Sequence, residues 1–218
     1  MSGVDRRIYV AMGLAAVGGL AAAFWLQARP ASALLPTDPL QAALICRDDA
    51  VIGEASVSRE VEIYALYFRE QAARALPGNA DYNQRMSTIT RMRSPAIDPG
   101  TAPRLRGACD ERFPLARSAG PATLPATRWE RDLTCVAAAM DLKIIAEGHP
   151  AEAHGDSPFD RADATVRRYV DRVEALRVPR GLRDADVVRL LGEARFTTLD
   201  IGNVLAVTRA CERPDTDG

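Results

Sequence analysis

The sequence predicts an all-α protein: a disulfide-stapled helical bundle, built from what look like two similar helical units, behind an N-terminal transmembrane helix or signal segment. Three observations carry that expectation. Alanine, the strongest helix former, is abundant, whereas the alternating Val/Ile/Thr runs that mark strands are missing. Apolar residues recur at three- and four-residue spacing between proline and glycine stops. Four cysteines, Cys46, Cys109, Cys135 and Cys211, are spread so that each of two stretches is opened by one and closed by another.

The chain opens with residues 1–7, which include Arg6 and Arg7, followed by nineteen uncharged residues from Ile8 to Leu26. At about 1.5 Å of rise per residue, such a helix spans roughly 28 Å, close to the ~30 Å hydrocarbon core of a bilayer. The arginines precede the run and only Arg29 follows closely. The positive-inside bias therefore leaves the N-terminus in the cytoplasm and the rest in the periplasm, as a single-pass inner-membrane protein. The alternative is a secretory signal cleaved near Ala33, where Ala31-Ser32-Ala33 has A-x-A form, leaving a soluble periplasmic protein. Ala15, Gly19 and Ala23 form a small-residue stripe on which another membrane helix could pack.

Residues 27–37, with Pro30 and Pro36, read as a linker to the first helical unit, residues 38–113. Asp38-Pro39 is an N-cap followed by proline at the first helical position. The helix it opens runs to about Ile52, with Leu40, Ala43, Leu44 and Val51 on one face. A second runs from about Ser58 to Leu76, with Val61, Tyr64, Ala65, Phe68 and Ala72 at helical spacing, and Pro77-Gly78 stops it. Tyr67 falls off that face and reads as a contact-surface residue. A third helix covers about Asp81 to Arg93, with Tyr82, Met86 and Ile89 inward, and a short one about Pro103 to Phe113.

Residues 114–126, with Pro114, Pro121 and Pro125, form a second linker, and residues 127–212 the second unit. Thr127-Arg128-Trp129-Glu130 has capping-box form, and Leu133, Val136, Met140 and Ile144 continue its apolar face. A loop from Gly148 to Pro158 leads to Ser157-Pro158-Phe159-Asp160, the start of a helix with Ala162, Tyr169 and Val173 inward. Asp184 to Glu212 is helical in pattern, weakened at Phe196-Thr197-Thr198 and Gly202-Asn203; residues 213–218 are a polar tail.

An even set of cysteines in an oxidising compartment is most simply two disulfides, and no CxxC spacing is present. Cys46–Cys109 with Cys135–Cys211 fits the duplicated pattern; Cys46–Cys211 with Cys109–Cys135 is the alternative. The first pairing makes a demand. An unbroken helix from Asp184 to Glu212 would be roughly 43 Å long. A bridge needs Cα atoms within about 7 Å, so the chain must break between Phe196 and Asn203.

Net charge is −1, which excludes an electrostatic footprint for nucleic acid. His149 and His154, the two histidines, share a loop with Glu147, Glu152 and Asp156, a composition able to ligate a divalent cation though without helical HExxH geometry. The acid pairs Asp48-Asp49 and Glu60/Glu62 read as complements to helix dipoles at helix starts. No cofactor is expected. The function these features suggest is non-enzymatic: a membrane-anchored extracytoplasmic interaction module or accessory subunit, whose partners are the membrane and other membrane or envelope proteins. An exported ligand-binding or inhibitor protein is the second reading, and a metal-dependent hydrolase using His149 and His154 the third.

Overall fold

The computed structural model describes residues 34–52, 57–94, 97, 99–149 and 157–213. The apolar run Ile8–Leu26 with Ala15, Gly19 and Ala23, the Ala31–Ala33 cleavage site and His154 lie outside the described residues. Among those described, regular structure is helical with no strands, and no helix is long and apolar enough to cross a membrane.

Helix starts are set by local side-chain chemistry. Asp38 accepts from the Leu40 N–H to open α1 (Pro39–Val51), and Ser58 accepts from Val61 to open α2 (Arg59–Ala75). Asp81 caps α3 (Tyr82–Arg91) through Gln84, and α4 (Ala102–Arg112) follows a 3-10 turn at Pro99–Thr101. Thr127 accepts from the Glu130 N–H at the head of α5 (Arg128–Gly148), and a Ser157/Asp160 capping box opens α6 (Pro158–Arg177). Then come α7 (Asp184–Ile201) and α8 (Val204–Cys211). Each cap satisfies an N–H that would otherwise be orphaned, worth about 1 kcal/mol.

Every cysteine is the eighth residue of its helix: Cys46 in α1, Cys109 in α4, Cys135 in α5 and Cys211 in α8. Cys46 bonds Cys109 with Cα atoms 5.7 Å apart, and Cys135 bonds Cys211 at 5.8 Å. The break this pairing requires falls at Gly202-Asn203, between α7 and α8. Asn203 holds it in place. Its amide donates to the Ala116 and Ser118 carbonyls at 3.0 and 3.1 Å, and its oxygen accepts from the Ala206 N–H at 2.9 Å. One buried side chain therefore ties the Ala116–Ser118 backbone to the start of α8. The α2–α3 and α6–α7 connections are also alike: each is six residues, with proline second (Pro77, Pro179) and a positive-φ glycine, Gly78 at 93° and Gly181 at 64°.

The two cysteine-bounded stretches share a core. Ile63 and Leu66 of α2 pack with Leu142 and Ile145 of α5, Ala162 of α6 and Val204 of α8. Burying α2 on a second face corrects one sequence expectation: Tyr67 is 4% exposed and its hydroxyl donates to the Leu199 carbonyl. Two outward corrections accompany it. Val51 is exposed because α1 ends there, and Ile144 is exposed because the buried stripe of α5 continues through Leu142 and Ile145 instead. Asp48 and Asp49 stand in the last turn of α1 and cannot complement its N-terminal dipole; Glu60 and Glu62 do stand in the first turn of α2.

Candidate functional site

Two of the buried acids, Glu70 and Asp141, lie where α2, α3, α5 and α7 meet. Glu70 of α2 is 1% exposed, and its Oε1 accepts from the Tyr82 hydroxyl of α3 at 2.7 Å. Asp141 of α5 receives Arg195 of α7, with Nε at 2.9 and 3.1 Å from its two oxygens and Nη2 at 3.0 Å. The Arg195 guanidinium carbon lies 4.9 Å from the centre of the Tyr82 ring, which also packs on Phe196 at 5.4 Å. Tyr82 thus joins the two acid-bearing helices. The close approach of α3 and α7 depends on Gly192, where a Cβ would come within 2.7 Å of the Tyr82 Cβ.

Burial, reinforced by the negative charge of Asp141, pushes the Glu70 carboxyl up to about 8, against the Tyr82 hydrogen bond and Arg195 and Arg69. Burial thus favours the protonated form of Glu70. Burial raises Asp141 too, but Arg195 and Arg69 oppose it, and its two-oxygen contact with Arg195 is that of a carboxylate. Burial and then the Glu70 and Asp141 charges hold the Tyr82 phenol far above its ordinary range. Burial acts to lower Arg195, yet Asp141 leaves it above its usual value.

A cleft of about 500 Å³ opens over this network. Tyr82 and Arg195 line it together with Met140 of α5 and Val188, Leu191 and Phe196 of α7. Asn79 and Asn83 stand at its edge beside the start of α3. An apolar cavity with a few converging polar groups is the usual form of a small-molecule site, and its size falls in the ordinary ~300–1,000 Å³ range.

His149 lies elsewhere, at the end of α5. Its Nδ1 is 3.0 Å from the Ile145 carbonyl, its Nε2 2.8 Å from that of Val57, and Glu62 is 3.3 Å from Nδ1. Each ring nitrogen faces a main-chain carbonyl oxygen, so the ring is engaged within this corner of the fold. Arg59 donates to the His149 carbonyl at 2.9 Å and lies over the Phe159 ring, so this corner ties α2, α5 and α6 together. Among the described residues no three His, Cys, Asp or Glu side chains are grouped to hold a metal.

Asp49 is a different buried acid. It is 0% exposed, neither carboxylate oxygen has a hydrogen-bond partner among the described residues, and Arg106 stands 4.0 Å away. Burial raises its carboxyl, with Arg106 and Arg117 opposing.

None of Glu70, Asp141 or Arg195 stands out in the sequence. The one available signal is that Glu70 falls three residues after Tyr67 and three before Ala73, on the stripe that α2 buries against the second stretch. Comparison with known protein families, with characterised proteins and with solved structures found no match to this chain.

Proposed function

We propose that the chain is a non-enzymatic, membrane-anchored extracytoplasmic helical protein, acting as an interaction module or accessory subunit of a membrane complex. The observation that carries this reading is the state of the sulfurs: all four cysteines are bridged and 0% exposed. Structural disulfides of that kind belong to oxidising compartments. The uncharged run Ile8–Leu26 behind Arg6-Arg7 supplies the route and the tether. We infer too that residues 38–113 and 127–212 are versions of one four-helix unit. The matching cysteine positions and the two proline–glycine connections support this.

The test is native electrophoresis of the full-length protein extracted from membranes in mild detergent, with its intact mass. The reading expects an uncleaved chain in an assembly larger than itself, lost when Ala15, Gly19 and Ala23 are replaced by leucine. A chain shortened near Ala33 and running alone in the aqueous fraction would overturn it. That outcome would favour the second reading, an exported ligand-binding protein, for which the α3–α7 cleft speaks.

A further inference from the structure

We propose that the α3–α7 cleft binds a small organic carboxylate with an apolar body, its anionic head on Nη1 of Arg195 and its body along Met140, Val188 and Leu191. The proposal deepens the ligand-binding reading, and it holds equally for an anchored or a released chain.

The head group follows from what Asp141 leaves over. Asp141 occupies Nε and Nη2 of Arg195, while Nη1 has no hydrogen-bond partner among the described residues and is not sealed from solvent. The guanidinium is immobilised by that pairing and by the Tyr82 ring beneath it, so a second anion meets a donor already oriented. The other charges of the cleft are spent locally. Arg189 pairs with Glu193 at 2.6 Å, and Asp81 accepts from the Gln84 N–H of its own helix.

Charge balance beneath the cleft points the same way. Arg69 and Arg195 both act on Glu70 and Asp141. With burial favouring the protonated form of Glu70, Asp141 is the carboxylate that offsets them. The Nε of Arg69 is buried and has no hydrogen-bond partner among the described residues. A monoanion in the cleft would place a second negative charge beside the Arg195 guanidinium. The body of the ligand follows from the walls. Val188 is 59% exposed at α7, and a hydrocarbon group lying against it, Leu191 and Met140 would be taken out of water at about 25 cal/mol per Å².

The test is isothermal titration of the full-length protein in nanodiscs with 3-phenylpropionate, its neutral amide and acetate, against empty nanodiscs. Binding of 3-phenylpropionate should be at least about tenfold tighter than that of either control, since the amide lacks the charge and acetate the body. Val188→Glu, at an exposed position that leaves the buried network intact, should weaken it by roughly tenfold or more. Arg195→Gln should abolish the preference for carboxylate over amide. Should that variant fail to fold, as judged by circular dichroism, the Val188 variant and the amide comparison decide. Equal binding of acid and amide overturns the anion assignment while leaving a ligand cleft. Absence of heat with all three probes overturns the proposal, and unchanged affinity in Val188→Glu overturns the site while leaving a ligand-binding protein.

Discussion

Around Cys46–Cys109 the protein buries rings, and around Cys135–Cys211 it buries mostly methyl groups. In the first region Phe68 is 0% exposed and meets Tyr64, Tyr67 and Phe113 edge to face at 4.6, 5.7 and 5.3 Å. In the second, Val136, Ala137, Ala138 and Val207 surround the bridge, with Tyr169 donating to the Cys211 carbonyl at 2.8 Å. The difference lies in the side chains that the helices around each bridge bring to it. Residues 132–139 of α5 are buried without interruption, because α6, α7 and α8 all pack on that helix. A helix enclosed on several sides needs short side chains for its neighbours to come close. Helix α1 packs mainly on α2 and α4, and the rings beside it come from α2 and from Phe113 just after α4. The same staple thus serves two unlike cores, holding chain ends together while side-chain volume sets helix spacing.

If loop closure dominates, removing either bridge should cost nearly the same despite the unlike fillings, since the bridged residues are 63 and 76 positions apart. Paired Cys→Ser replacement at each site is expected to lower unfolding free energy by about 4 kcal/mol in urea denaturation. A difference above about 2 kcal/mol would assign the effect to the packing around the sulfurs. The fillings themselves should separate under truncation. Phe68→Ala should cost about 3–5 kcal/mol by leaving a cavity, whereas Ala137→Gly should cost about 1 kcal/mol through backbone entropy. Comparable losses would contradict the contrast between rings and methyl groups.

The finest distinction is pH-dependent and belongs to the junction between the regions. Glu70 has its ordinary value of 4.5 when unfolded and about 8 when folded, so the folded state binds the extra proton between those limits. Its contribution is fully present below pH 4.5 and is lost as pH rises toward 8, with a slope of at most about 1.4 kcal/mol per unit. Glu70→Gln should flatten that slope in urea titrations at pH 5, 6, 7 and 8. An unaltered slope in the variant would mean that Glu70 is ionised in the fold.

Helix class and approximate helix ends were legible because their causes are local: Asp38, Ser58, Asp81, Thr127 and Ser157 cap the helices that follow them. The disulfide pairing, read from similar flanks, matches the bonds formed, and the break it demanded lies at Gly202-Asn203. The cleft was not legible. Its parts come from residues as far apart as Asn79 and Arg195, and each of Glu70, Asp141 and Arg195 sits in a stretch that reads as an ordinary amphipathic helix. Only the stacking of α2 against the second cysteine-bounded stretch, which local periodicity does not encode, turns those charges inward. The same stacking explains Tyr67, read from its own helix as outward and found buried.

Alkylating the native protein before any reduction, then mapping peptides by mass, bears most directly on the whole account. We expect no modified cysteine and two cross-linked peptides, one joining Cys46 to Cys109 and the other Cys135 to Cys211. Four alkylated thiols in protein taken directly from cells would contradict both the stapled fold and the oxidising destination assigned to it.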